Sequence, residues 1–163
     1  MYTVGIITSS DKGYKGERED KSGAVIKRII EERGLIVKRQ IVLPDEKEML
    51  KKEFIYMSDE LNLNLILSTG GTGFSKRDIT PEATKEVIER ETPGISEAIR
   101  MLSMQITKRA MLSRAASGIR GNTLIVNLPG SPKACEEALD FVLEELIHGL
   151  GILLGTEKEC ARK

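Results

Sequence analysis

The stretch Leu63-Asn-Leu-Ile-Leu-Ser-Thr-Gly-Gly-Thr-Gly73, continued by Phe74-Ser-Lys-Arg-Asp-Ile-Thr-Pro-Glu-Ala-Thr84, decides the fold class. Leu63–Ser68 is an apolar run of strand length, too short for a helix of its own. Glycines then thin out the side chains over Thr69–Gly73. Thr80-Pro81 carries the N-cap and first-turn proline of a helix running to about Arg90. Strand, glycine loop and helix together make half of a parallel crossover unit.

Working outward, the same alternation recurs. Tyr2–Thr8 is a first strand, followed by the polar loop Ser9–Asp20. A helix over Lys21–Arg33 places Val25, Ile26, Ile29 and Ile30 on one face, with Asp20 or Ser22 to cap it and Gly34 to end it. Leu35–Leu43 is a second strand, stopped by Pro44, and Glu46–Glu60 carries the stripe Leu50, Phe54, Met57 and Leu61. On the other side, Thr92-Pro93-Gly94 breaks the chain before a helix carrying Ile95, Ala98, Ile99, Leu102 and Ile106. Ala110–Ala116 is expected to be a short helical piece. Thr123–Leu128 is another strand, and Pro132–His148 a last helix with Cys135, Leu139, Val142, Leu143 and Leu146 inward. The pattern predicts one α/β domain over residues 1–163: a doubly wound, mostly parallel sheet with helices on both faces.

Composition narrows the function. A chain of 163 residues with 40% hydrophobic content can bury roughly 70% of its unfolded surface, so no disulfide or metal staple is needed. Lys+Arg and Asp+Glu are equal at 25 each, which removes any bulk electrostatic pull toward nucleic acid or an anionic membrane. With no Trp and 4% aromatics there is little to stack on bases. No apolar run approaches the ~18–20 residues of a membrane span. Met1 leads straight into Thr3-Val-Gly-Ile-Ile7 with no basic, cleavable leader. The two cysteines, Cys135 in a core helix and Cys160 in a charged tail, suit a reducing cytoplasm.

In an open parallel sheet the ligand crevice lies beyond the carboxyl ends of the strands. Ser9, Ser10 and Asp11 follow the first strand, Pro44-Asp45 the second, Thr69–Gly73 with Ser75–Asp78 the third, and Pro129-Gly-Ser-Pro-Lys133 the fourth. Gly70, Gly71, Thr72 and Gly73 let backbone N–H groups approach an anion, or simply form a tight turn. The segment is no Walker A loop, because Ser75 rather than glycine precedes Lys76, and no dinucleotide fingerprint, because Lys76 stands where its third glycine belongs. Gly130-Ser131 opens the last helix, where free N–H groups and the dipole favour a negative ligand; Ser131 also suits a plain N-cap. Asp45 is either the cap of its helix or a functional acid. Asp78 is either an Asx-turn residue or, beside Lys76 and Arg77, a carboxylate that meets a triphosphate through Mg²⁺. His148, the sole histidine, is expected to complement a helix C-terminus. Met101, Met104 and Met111 are expected in packing or a subunit contact. No Gly-x-Ser-x-Gly elbow or Cys–His pair signals a protein nucleophile.

Thr69-Gly-Gly-Thr-Gly-Phe-Ser-Lys-Arg-Asp-Ile-Thr-Pro-Glu-Ala-Thr84 closely resembles the signature of the molybdopterin-binding proteins, the family of MogA, MoaB and the G domain of gephyrin. Ser9–Asp11 with Arg18-Glu-Asp-Lys-Ser-Gly23, Leu112-Ser-Arg-Ala115 with Gly118-Ile-Arg-Gly121, and Asn127-Leu-Pro-Gly-Ser-Pro-Lys133 agree in the same order. The resemblance implies a homotrimeric molybdopterin adenylyltransferase of molybdenum-cofactor biosynthesis, using ATP, molybdopterin and Mg²⁺. It implies Asp45 and Asp78 as the catalytic acids that hold or orient Mg²⁺. Gly70, Gly71, Thr72 and Gly73 would cradle phosphates, with Lys76 and Arg77 as charge partners, and Ser9, Asp11, Gly130 and Ser131 would line the remaining substrate surface. The alternative within the same resemblance is a MoaB-like, non-catalytic molybdopterin carrier or trimeric scaffold.

Overall fold

The computed structural model describes residues 1–157, so Cys160 lies outside the described residues. The strands are β1 (Thr3–Ser9), β2 (Ile36–Leu43), β3 (Leu65–Thr69), β4 (Arg90–Glu91), β5 (Ser117–Arg120) and β6 (Thr123–Leu128). The helices are α1 (Asp11–Tyr14), α2 (Lys21–Glu32), α3 (Lys47–Ile55), α4 (Thr80–Val87), α5 (Pro93–Ile106) and α6 (Pro132–Leu153). All six strands form one sheet in the order β2-β1-β3-β6-β5-β4. β2, β1, β3 and β6 are parallel, while β5 and β4 add an antiparallel edge.

Strand parity sorts the core into two layers, because successive side chains leave opposite faces of a strand. Val4, Ile6, Leu65, Leu67, Leu124, Val126 and Leu128 face α2, α5 and α6, meeting Ile26, Ile30, Ile99, Leu139 and Leu143. Ile7, Ile66 and Ile125 face α3 and α4, meeting Leu50, Phe54, Ala83 and Val87. Each buried leucine or isoleucine contributes about 1.5–3 kcal/mol relative to exposure, so both faces of the sheet have to be covered. Among the described residues, no helix is long and apolar enough to cross a membrane.

Several expected elements shift in detail. The Glu46–Glu60 stripe is α-helical only to Ile55 and continues through Tyr56–Glu60 as a π turn, which still carries Met57 into the core. Ala110–Ala116 is not one helical piece: Lys108–Leu112 is a 3-10 turn, and the chain is extended from Ser113. The helix begun at Thr80 ends at Val87, and Arg90-Glu91 becomes an edge strand instead. β5 lacks an apolar run of its own, Ser-Gly-Ile-Arg, and exists because its backbone pairs with β6 across the turn at Gly121. Asp20 caps α2 by accepting from Gly23 N at 2.9 Å, and Gly34 follows that helix with φ +77°.

The chain runs from β1 to β2 on one side and returns to β3 on the other. The switch point of the sheet therefore falls between the carboxyl ends of β1 and β3, where open α/β folds hold their ligands.

Candidate functional site

A cleft of about 860 Å³ opens at that switch point. Its floor comes from Thr8 and Ser9 at the end of β1 and from Thr69, Gly70 and Gly71 at the end of β3. Gly130, Ser131 and Pro132 bring in the start of α6, and Asp20, Lys21 and Ser22 the start of α2. Two helix N-termini thus open onto one space, where the positive end of each helix dipole favours negative charge. Ser131 does both jobs expected of it: its Oγ accepts from Ala134 N at 3.2 Å, and it lines the cleft.

Asp45 and Asp78 share this cleft. Asp45 does not cap α3, whose N-cap is Glu46 without a side-chain bond. Instead Ser9 Oγ donates to Asp45 Oδ1 at 2.7 Å and Asp11 N to Asp45 Oδ2 at 2.9 Å, while Asp45 N donates back to Asp11 Oδ1 at 3.0 Å. Each Asp45 oxygen keeps a lone pair for another partner. Asp78 Oδ2 accepts from Ser75 N at 3.0 Å, and Asp78 N donates to Ser75 O, closing a tight turn. Among the described residues Asp78 Oδ1 has no hydrogen-bond donor.

The glycine loop is shaped by close approach. Gly70 (φ +87°) and Gly71 (φ +70°) occupy the left-handed region. A Cβ on Gly70 would stand 2.4 Å from Ser9 O, and one on Gly71 2.4 Å from Thr80 Oγ1 and 3.3 Å from Asp45 Oδ1. Thr80 is fully buried and does not cap α4; its hydroxyl donates to Gly70 O at 2.9 Å and its N–H to Gly71 O. The loop is thereby pinned against both β1 and α4.

Of the expected site residues, Ser9, Asp45, Gly70, Gly71, Asp78, Gly130 and Ser131 meet in the cleft. Thr72, Gly73, Lys76, Arg77 and Asp11 are not among its lining. The Thr72 side chain is buried and Lys76 is exposed beyond the rim. Arg77 is engaged by carboxylates: Nε donates to Asp11 Oδ2 at 2.6 Å, and a terminal nitrogen to Asp11 Oδ1 and Glu46 Oε1 at 3.0 and 2.9 Å. The Arg77 guanidinium and then the Asp45 N–H lower the Asp11 pKa to about 2, and the carboxylates of Asp11 and Glu46 raise that of Arg77. Asp11 acts on the cleft through Asp45 rather than by lining it. His148 lies within α6 and pairs with Glu157, beyond the end of that helix, rather than complementing its last carbonyls. Cys135 lies under the cleft floor, donating to Pro129 O at 2.9 Å. Burial pushes its thiol up to about 11.

Arg18, Glu19, Asp20, Lys21 and Ser22 line the cleft although the sequence placed them in a polar loop and a helix start. The signal was present in Arg18-Glu-Asp-Lys-Ser-Gly23, but nothing local tells that this segment folds back onto Thr8 at the end of β1 and Gly130 before α6. Asp20 is doubly held, accepting from Gly23 N and from Thr8 Oγ1, both at 2.9 Å. Charges in the lining are mixed: Arg18 and Lys21 against Glu19, Asp20, Asp45 and Asp78.

Residues 5–149 match the family model described as "probable molybdopterin binding domain". The chain belongs to the molybdopterin-binding family. Within that family it is 38% identical over 162 residues to a molybdopterin adenylyltransferase of Helicobacter pylori strain J99, covering 98% of this chain and 92% of that protein. Gephyrin of Dictyostelium discoideum is 41% identical over 93% of the chain, which corresponds to 22% of that longer protein. The solved structure of the molybdopterin biosynthesis enzyme MoaB from Thermus thermophilus superposes with a TM-score of 0.90 at 45% identity, covering 95% of this chain and 98% of that one.

Proposed function

We propose that this protein transfers the adenylyl group of ATP to the terminal phosphate of molybdopterin and releases pyrophosphate. The observation that carries the proposal is the meeting of Asp45, Asp78 and the Gly70-Gly71 backbone at one end of the β1–β3 crevice, facing two helix N-termini. A phosphate oxygen of molybdopterin attacks the α-phosphorus, a new P–O bond forms, and the bond to the bridging oxygen of pyrophosphate breaks. The nucleophile belongs to the substrate, which agrees with a cleft lined by no cysteine or histidine among the described residues. The chain then supplies positioning and charge neutralisation.

The cleft's own charge supports Mg²⁺ as the partner of that reaction. Four lining carboxylates against two cations would repel a bare triphosphate. No cluster of three or more His, Cys, Asp or Glu forms a protein cage among the described residues. Mg²⁺ commonly takes one or two carboxylates and completes its shell with substrate phosphates and water, which fits the spare lone pairs of Asp45 and Asp78. The ion would supply neutralisation of the phosphates and a fixed approach angle. Ser9 and the Asp11 N–H hold the Asp45 carboxylate in place, the Ser75 N–H holds that of Asp78, and the N-termini of α2 and α6 receive remaining phosphate charge.

A homotrimer is part of the proposal. Exposed Met101, Met104, Ile106, Met111 and Leu112 on α5 and the following turn leave an apolar face of the kind that covers itself with another subunit. The free, buried Cys135 suits the cytoplasm. Asp78→Asn tests the chemistry: pyrophosphate release from Mg-ATP, dependent on molybdopterin, drops about a hundredfold or more while molybdopterin still binds. Undiminished turnover in that variant rejects the role of Asp78. Pterin binding by the wild-type chain with no response to ATP identifies a carrier instead.

A further inference from the structure

One residue outside the cleft holds both ends of the loop that presents Asp78. The Arg114 backbone N–H donates to Thr72 O at 2.8 Å. Its guanidinium Nε donates to Gly73 O at 2.8 Å and one terminal nitrogen to Asp78 O at 2.7 Å, while the other reaches Glu82 Oε2 at 3.0 Å. Glu82 sits in the first turn of α4. A single planar fork therefore joins the entry of the loop, its exit and the helix that follows, from a segment more than thirty residues downstream.

We infer that Arg114 is a positioning residue for adenylyl transfer: it fixes the Gly73–Asp78 loop so that the Asp78 carboxylate faces the cleft before substrate arrives. The inference rests on the adenylyl-transfer reading. The physical basis is specific to this geometry. Phe74, Ser75, Lys76 and Arg77 are exposed, so packing does not hold the loop. Its internal bonds are the two between Ser75 and Asp78, which close the turn but do not attach it to the sheet. The exposed Arg77 tip is tied to Asp11 and Glu46 through its side chain, whereas attachment of the backbone at Gly73 and Asp78 comes from Arg114, which the extended chain after Leu112 carries under the loop. A lysine can replace the charge but not the three-directional donor set.

The test uses the full chain with Mg-ATP and molybdopterin. Arg114→Gln is expected to lower kcat about a hundredfold, the scale of a ~1 Å misplacement of a reacting group, while KM for ATP moves less than about threefold. Arg114→Lys is expected to recover no more than about a tenth of the lost rate. In an Asp78→Asn background Arg114→Gln is expected to cost nothing further, because both changes remove the same contribution. Hydrogen exchange without substrate supplies an activity-independent readout. In Arg114→Gln the amides of Ser75 and Asp78 exchange about tenfold faster or more, while those of Ile6 and Leu67 in the sheet keep their wild-type rates. Full recovery by lysine, a multiplicative loss in the double variant, or unchanged exchange at Ser75 and Asp78 overturns the inference. A wild-type chain that releases no pyrophosphate sinks the adenylyl-transfer reading, and the exchange result still decides whether Arg114 holds the loop.

Discussion

Gly70→Ala puts the architecture of the cleft to its strictest trial. The new Cβ would stand 2.4 Å from the backbone carbonyl oxygen of Ser9, about 1 Å short of ordinary contact, and backbone cannot rotate out of the way. At φ +87° the alanine also sits in the left-handed region, at a cost of about 1–2 kcal/mol for an L side chain. Forcing the carbonyl and the loop apart adds roughly 1–3 kcal/mol of overpacking. The sum, roughly 2–5 kcal/mol, corresponds to a melting temperature lower by about 5–15 °C for a domain of this size. Relief by loop movement separates Gly70 and Gly71 from Ser9, the hydroxyl that orients Asp45. A displacement near ~1 Å there lowers molybdopterin-dependent pyrophosphate release about a hundredfold. Thermal melting and a coupled pyrophosphate assay on the purified variant read both numbers. A variant that melts within about 2 °C of wild type and turns over normally would show that the loop is not wedged against β1, and the account of the cleft would fall with it.

Three shorter predictions accompany it. Asn127 is buried, with Nδ2 donating to Ser68 and Thr84 hydroxyls at 2.8 and 2.9 Å and Oδ1 accepting from Ala116 N at 3.0 Å. Asn127→Ala is therefore expected to cost about 2–4 kcal/mol in denaturant unfolding, and a loss under ~0.5 kcal/mol would deny it a bridging role. Arg77→Ala raises the Asp11 pKa from about 2 toward its ordinary value without reaching it, since the Asp45 N–H remains; a carboxyl titration by NMR that stays near about 2 rejects the pairing. Because the Asp11 pKa is lowered on folding, the pair stabilises above about pH 4 and that contribution disappears as pH falls from about 4 to about 2. The stability gap between wild type and Arg77→Ala should close over the same window. Removing Mg²⁺ with chelator is expected to abolish transfer but to leave the melting temperature of the substrate-free chain unchanged, since among the described residues no carboxylate cage depends on the ion for folding.

The layered architecture was legible because it rests on local periodicities. Val4 and Ile6 share one face while Ile7 takes the other by strand geometry, and Ile26 and Ile30 fall together by helix geometry, whatever the rest of the chain does. β5 was not legible: Ser117–Arg120 carries no apolar run, and its strand character comes from the partner it folds against. The same division runs through the site. Gly70, Gly71 and Asp78 follow a strand in the order expected of a ligand loop, so their nearness to the crevice could be read directly. Arg18–Ser22 could not be assigned to it, because a polar loop's return path is set by where α2 packs.

Chain order alone determined that this is an open α/β protein whose glycine loop, two acids and last helix start at strand ends, since strand ends of a parallel sheet share one rim. Tertiary structure decided the pairings: that Asp45 is held by Ser9 and Asp11 instead of capping α3, that Arg77 turns to Asp11 and Glu46 instead of the cleft, and that Arg114 grips the loop from behind. Those partners lie some thirty to seventy residues apart. Their meeting depends on crossover packing and strand register, which no local pattern encodes.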